Sequence, residues 1–383
     1  MLERIGVALL VVVALLAGWA FTLREEATRL LAVNSLFAEE RIVDNFSNMN
    51  AMFLHAPVRS EGVRLFAGEA VPLPERVGGI DVETYLSETA TTSLLVLRDG
   101  RVVHEVYRLG TSPSDRRISW SMAKSVLSLA VGVAVRDGLV DLDRTVESYV
   151  PALAGSAYKG VTVRQALSMS SGVLFDEDYL DFWSDINRMG RTLALGGSMD
   201  AFAAARDERT REPGTVRQYN SIDTHVVAMV LRAATGRSLP DYLSEAVLQP
   251  AGVENGGYYV TDGEGTAFAL GGLNLTTRDY ARIGLMVLRE DGPMPREWIA
   301  VSTSAVAPPP AEPDGFGYGY QWWMPDGTRG VTLARGVYGQ YLWIDRPRGV
   351  VIVKTSADRG FREPGASARD MEFLEALAAS VSN

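Results

Sequence analysis

The chain contains no cysteine among its 383 residues. That absence excludes disulfides, a thiol nucleophile and lipobox-type acylation, and it is compatible with an oxidising compartment. Lysine is almost as scarce, with only Lys124, Lys159 and Lys354. Histidine is limited to His55, His104 and His225, in unrelated settings and without an HExxH-type pattern. With no GxSxG elbow either, a Ser-His-Asp hydrolase is poorly supported and the three histidines read as structural. There is no basic run, and the net charge is −10, so nucleic acid and anionic lipid are excluded as main partners, since both reward a basic surface. Internal repeats are absent as well.

What is present suits a folded protein. Hydrophobic residues make up 47% and charged residues 22%, enough apolar material for one large domain or two intertwined ones. Residues 5–23, IGVALLVVVALLAGWAFTL, carry no charge and are long enough to span a bilayer as a helix. Residues 1–23 therefore read as an N-terminal membrane anchor or signal sequence. The anchor is favoured because the apolar run continues past Gly18 and Ala20. The flanking charges then put the body of the protein outside the cytoplasm, periplasmic or otherwise extracytoplasmic.

Residues 24–80 read as a stalk and wrap, helical in spacing as far as Leu54 and then punctuated by Pro and Gly. Residues 81–383 form the main domain. Within it, LLVLRDGRVVHEVY alternates around Asp99 and Gly100, a hairpin signal. Residues 139–314 read as helical patches and loops, including Val163–Met169, Asp223–Thr235 and Thr277–Leu288, the last opened by a Thr276/Asp279 capping box. Strands return at Gly319–Met324, Val331–Arg335, Tyr341–Ile344 and Val350–Thr355, with a helix near Ala368–Ala379. Strands at both ends and helices between predict an α+β fold: one antiparallel sheet built from both chain ends, with an inserted helical lobe.

The chemistry centres on Ser119–Gly138, SWSMAKSVLSLAVGVAVRDG. As a helix this stretch is apolar on nearly every side, hence enclosed, and it carries Ser121 and Lys124 at i and i+3 on one face at its start. Desolvation lowers a lysine pKa from its reference near ~10.4, so the pair can act as nucleophile and base. First-turn N–H groups supply part of an oxyanion hole. Spacing alone leaves a second reading open, a lysine at the edge of the core, because Ser156 to Lys159 also reads SxxK. Lys159 differs in lying in a Gly-bounded polar stretch.

Tyr219, at a loop-to-helix junction in RQYNSIDTHVVAMVL, is the candidate for passing a proton to the leaving group; its alternative is an ordinary half-buried tyrosine. Ser221 or Asp223 could cap that helix. The Gly336–Gln340 junction lets the backbone approach a ligand, and the Val337 amide could oppose that of Ser121 across an oxyanion; its alternative is a bulged turn. Asp176–Asp185 is dense in carboxylates, but it lacks a nearby histidine and the calcium-loop glycine and glutamate, so no metal is assigned. Tyr179, Phe182 and Trp183 make it an aromatic lid over a substrate.

SMAK, YNS and GVYGQ, in that order, resemble the serine β-lactamase and penicillin-recognising superfamily. From about Arg41 onward the chain is similar to its 6-aminohexanoate-dimer hydrolase branch, related to class C β-lactamases and family VIII esterases. ERIVDNFSNMNAMF, SMAKSVLSLAVG, LSMSSGVLFDEDY, YNSIDTHVVAMVL, GGLNLTTRDYARIG and GVYGQYLWID carry the likeness. The resemblance implies a β-lactamase/transpeptidase-like fold, Ser121 as acylated nucleophile, Lys124 as base and Tyr219 as proton carrier. It implies an oxyanion hole from the Ser121 and Val337 amides and a substrate contact from Tyr179; Ser221 and Tyr338 are further candidate substrate-binding residues. Two motifs depart from lactamase relatives: Tyr219-Asn220-Ser221 stands for YxN, and Arg335-Gly336-Val337 for KTG. β-Lactamase activity is therefore not expected. Lys354-Thr355-Ser356 looks like KTG but precedes only the terminal helix, which marks it as structural.

The expectation is a serine hydrolase acting on small amides or esters without a cofactor or metal, tethered to a membrane by its N-terminus. The alternatives are a carboxypeptidase acting on D-amino acid peptides of the cell wall and a catalytically idle binding protein.

Overall fold

The computed structural model describes residue 24, residues 26–61 and residues 65–382. The expected anchor or signal sequence, residues 1–23, lies outside them. Among the described residues no helix is long and apolar enough to cross a membrane.

A seven-stranded antiparallel sheet runs through the molecule in the order Arg101–Tyr107, Thr91–Arg98, Val350–Ser356, Gln340–Asp345, Val331–Gly336, Trp323–Pro325, Phe316–Tyr318. Its second and third strands, Thr91–Arg98 and Val350–Ser356, come from opposite ends of the chain, with Leu95 facing Val353 across the ladder. The sheet is therefore closed by tertiary contact. Alternation then sends side chains to two different cores. Leu95, Leu97, Val351 and Val353 face the large helical lobe. Leu94, Val96, Val350 and Ile352 pack against helices Val82–Glu88 and Ala366–Ser380. Both faces are covered, which explains why these strands are buried along nearly their whole length. The Asp99–Gly100 turn has φ 51° and 78°, the left-handed pair that a two-residue hairpin demands.

Of the predicted strand Gly319–Met324 only Trp323 and Met324 lie in a strand; Gly319–Trp322 is the interruption between Phe316–Tyr318 and Trp323–Pro325, and Gln321 there takes φ 67°. A second sheet was not expected. His55–Val58, Gly257–Val260, Leu273–Leu275 and Arg117–Ile118 pair in that order. His55 is registered with Val260. Strands of two to four residues leave no alternation to read, and two of the three pairings join segments far apart in the chain, His55 with Val260 and Arg117 with Leu275.

The expected stalk is in part core. A helix over residues 26–35 is followed by Leu36, Ile42, Phe46, Met49 and Phe53, all buried in the same cluster as the helix Met122–Arg136. That helix is buried from Met122 to Ala134, so its all-round apolar sequence is matched by enclosure on every side.

Candidate active site

Ser121 sits at the head of the helix Met122–Arg136 as its N-cap residue, so its own N–H lies outside the helical ladder. The residue before it, Trp120, takes φ 44°, a conformation costly for a bulky side chain. The turn there is closed by the Met122 and Ala123 amides, which donate to Ser119 and Trp120.

Lys124 is 2% exposed, and its Nζ donates to Ser121 Oγ at 2.8 Å and to the Leu270 carbonyl at 2.9 Å. Burial pulls this amine down to about 7, opposed in part by the negative charge of Glu177. The second SxxK lysine, Lys159, is exposed. Setting, not spacing, separates the two.

Tyr219 stands over the pair, with Lys124 Nζ 5.2 Å from its ring centroid. Its other side packs on Trp323 at 5.3 Å. Burial and the nearby Glu177 charge push the phenol well above its ordinary value, while hydrogen bonding with Ser121 and the charge of Arg335 work in the opposite direction. It is a phenol at neutral pH.

On the opposite wall the strand Val331–Gly336 ends against the nucleophile turn. A Cβ on Gly336 would stand 2.5 Å from the Ser119 carbonyl oxygen and 3.1 Å from the Ser121 nitrogen. Only glycine allows this approach. It brings Val337 to the lip of the site beside Ser121.

Two cavities meet at Ser121, Tyr179 and Val337. One, of about 390 Å³, contains Tyr219, Trp323, Arg335 and Arg362. The other, of about 320 Å³, is walled by apolar side chains and by the N-terminal segment around Val33 and Phe37.

Residues 81–376 match the sequence pattern of the family described as Beta-lactamase. The chain belongs to the β-lactamase family. It is 32% identical over 295 residues to a 6-aminohexanoate-dimer hydrolase from Paenarthrobacter ureafaciens, covering 72% of this chain and 75% of that one. A Bacillus anthracis structure assigned to the 6-aminohexanoate-dimer hydrolases superposes with a TM-score of 0.80 at 23% identity, covering 90% of this chain and 96% of that chain. A family VIII carboxylesterase has a TM-score of 0.56 at 17% identity, covering 76% and 92%. The fold is thus the β-lactamase/transpeptidase-like one that the motifs imply.

In this member of the family one further residue organises the site. Glu177 accepts hydrogen bonds from the Ser221 N–H at 2.9 Å, from the Ser221 hydroxyl and from Tyr179 Oη at 2.6 Å. The helix Ser221–Thr235 has no capping side chain at its N-cap, Asn220, and neither Ser221 nor Asp223 supplies one; Glu177 does so from another loop. Nothing in the sequence pointed to it, because Ser221 and Asp223 both read as competent caps.

Ser221, expected to touch substrate, is 0% exposed with its hydroxyl committed to Glu177, and it lines neither cavity. Tyr338 lines neither cavity either. Its ring stacks on Phe37 at 4.8 Å and packs on Phe361 at 4.6 Å, which makes it a support for the cavity wall. Tyr179 lines both cavities, whereas Phe182 enters only the apolar one and Trp183 points outward, 73% exposed. Lys354 is fully buried in strand Val350–Ser356, between the rings of Tyr85 and Tyr341.

Proposed function

We propose that the protein is a serine hydrolase that opens amide or ester bonds through an acyl-enzyme on Ser121. The observation that carries this reading is the 2.8 Å contact between Ser121 Oγ and a buried Lys124 whose amine titrates at about 7. A lysine held that low is neutral in a substantial fraction of molecules near neutral pH and can accept a proton, whereas an exposed lysine there is almost wholly protonated. The relatives named for amide and ester cleavage support the same class.

In acylation, Ser121 Oγ attacks the substrate carbonyl carbon and its proton passes to Lys124 Nζ. The amides of Ser121 and Val337 receive the developing oxyanion. As the carbon–leaving-group bond breaks, the Tyr219 phenol donates its proton to the departing nitrogen or oxygen, and the Lys124 ammonium replaces it. Water then attacks the ester carbonyl; neutral Lys124 takes the water proton, the acid departs, and Ser121 regains its hydrogen. Because Tyr219 serves the leaving group, that half of the substrate occupies the cavity shared by Tyr219 and Arg335. The Arg335 guanidinium rests on the Phe316 and Trp323 rings, 4.8 and 5.2 Å from their centroids, and its Nη2 reaches Ser367 Oγ at 3.3 Å. It suits a leaving group bearing an acid.

The test is intact-mass analysis of the protein exposed to a fluorophosphonate, with turnover of a short p-nitrophenyl ester. An adduct on Ser121, and turnover lost in Ser121→Ala, is the expected result. A folded protein that gives neither adduct nor turnover refutes the reading.

A further inference from the structure

Resting on the serine hydrolase reading, we propose that the acyl half of the substrate is an uncharged aliphatic chain, and that a chain ending in an ammonium group is rejected. With the leaving group on the Tyr219 side, the acyl group is left with the second cavity, which shares Ser121 and Val337 but excludes Tyr219. That cavity is mostly apolar. Val33, Phe37, Phe53, Phe182, Ile186 and Leu193 form its sides, drawn from the N-terminal segment, the aromatic loop and the helix Asp185–Ala194.

Its charge is as informative as its shape. Among the described residues no carboxylate lines the cavity and the one charged side chain on it is Arg191, whose guanidinium lies over the Phe182 ring at 4.0 Å. An ammonium entering there would leave water with no anion to meet it and with a like charge nearby. The two uncharged amides, Asn34 and Asn187, offer carbonyl oxygens but no negative charge, which offsets only part of the cost of desolvating an ammonium. A methylene chain meets the opposite situation. Each buried CH₂ is worth about fourfold in binding, and about 320 Å³ is roughly twice a cavity that holds benzene. The space therefore takes a chain on the order of six to ten carbons. The acyl preference differs from the one named for the Paenarthrobacter relative.

The experiment compares kcat/KM for p-nitrophenyl acetate, hexanoate, 6-aminohexanoate and the adipate monoester with the full chain. Hexanoate is expected to exceed acetate by roughly 10- to 100-fold, allowing for incomplete burial, and to exceed both charged esters by at least about tenfold. Equal or better turnover of 6-aminohexanoate overturns the proposal, and so does a preference for the adipate monoester, which would make Arg191 an anion reader. Flat activity across all chains, with a Ser121 adduct intact, sinks the acyl cavity alone; no adduct and no turnover sinks the hydrolase reading beneath it. Two variants add a second readout. Val33→Trp shortens the cavity and should lower the hexanoate-to-acetate ratio. Asn34→Asp places a carboxylate at its wall without changing shape and should raise the 6-aminohexanoate-to-hexanoate ratio several-fold. Unchanged ratios in both folded variants also overturn the assignment.

Discussion

The Glu177 carboxylate caps the helix that carries Ser221, two residues beyond Tyr219, accepting the Ser221 N–H at 2.9 Å while also holding the Tyr179 hydroxyl at 2.6 Å. One side chain thereby ties the aromatic loop to the Tyr219 helix, and its charge reaches Lys124, Tyr219 and Asp223.

Glu177→Gln tests that reach. Glu177 favours the charged form of Lys124, so removing its charge should lower the Lys124 pKa further. The acid limb of the kcat/KM profile is then expected to move below its wild-type position. Loss of charge-assisted bonds should also cost about 1–3 kcal/mol, read by urea unfolding. An unmoved limb in a folded variant contradicts the coupling.

Lys124 sets the acid limb itself. Activity is expected to rise through pH about 7, where Lys124 loses its proton. Stability follows the same group. In the unfolded chain the lysine holds its proton to about 10.5, whereas the folded protein releases it near 7, so the unfolded state binds more protons between these values. This contribution therefore grows with pH across that window and is absent below it. Lys124→Ala should lose ester turnover by about 10²–10⁴-fold. Compared with wild type, its stability should lack a gain of about 1–2 kcal/mol between pH 7.5 and 9.

Tyr219 is needed where the leaving group needs a proton. Tyr219→Phe is expected to reduce amide hydrolysis by about 10²–10³-fold and p-nitrophenyl ester hydrolysis far less, because a nitrophenolate departs unprotonated. Equal losses on both substrates would assign the tyrosine to a structural duty.

Arg335 should read charge on the leaving side. Arg335→Met keeps the stem that packs on Phe316 and Trp323 and removes the guanidinium. For esters whose leaving group carries a carboxylate, kcat/KM is expected to fall about tenfold or more, with neutral counterparts little changed. A uniform fall across both sets contradicts the role.

Gly336→Ala forces a methyl to 2.5 Å from the Ser119 oxygen. The strand must retreat from the nucleophile turn, so kcat should drop more than about tenfold, with a stability loss of about 1–3 kcal/mol. Thermal unfolding and single-turnover acylation separate the two effects.

Much of this was written locally. Ser121 and Lys124 lie on one helix face because three residues make nearly a turn, and the apolar run after them required burial. The alternation from Thr91 to Tyr107 and the strands beyond Val331 announced a sheet, and the absence of cysteine and scarcity of lysine narrowed the candidate bases before any fold was known. Family motifs located Tyr219 and Val337. What only the tertiary structure decided depends on groups far apart in the chain. Burial by Leu270 and its neighbours moves Lys124 to about 7, Glu177 reaches Ser221 across 44 positions, and Gly336 approaches Ser121 from the far end of the sequence. Ser221, inside the tyrosine motif in sequence, is buried and lines neither cavity, while Val33 and Phe37, in the expected stalk, line the cavity at Ser121. Spacing along a chain specifies neighbours on one helix or strand; desolvation, electrostatic coupling and cavity shape arise only when distant segments close around the same volume.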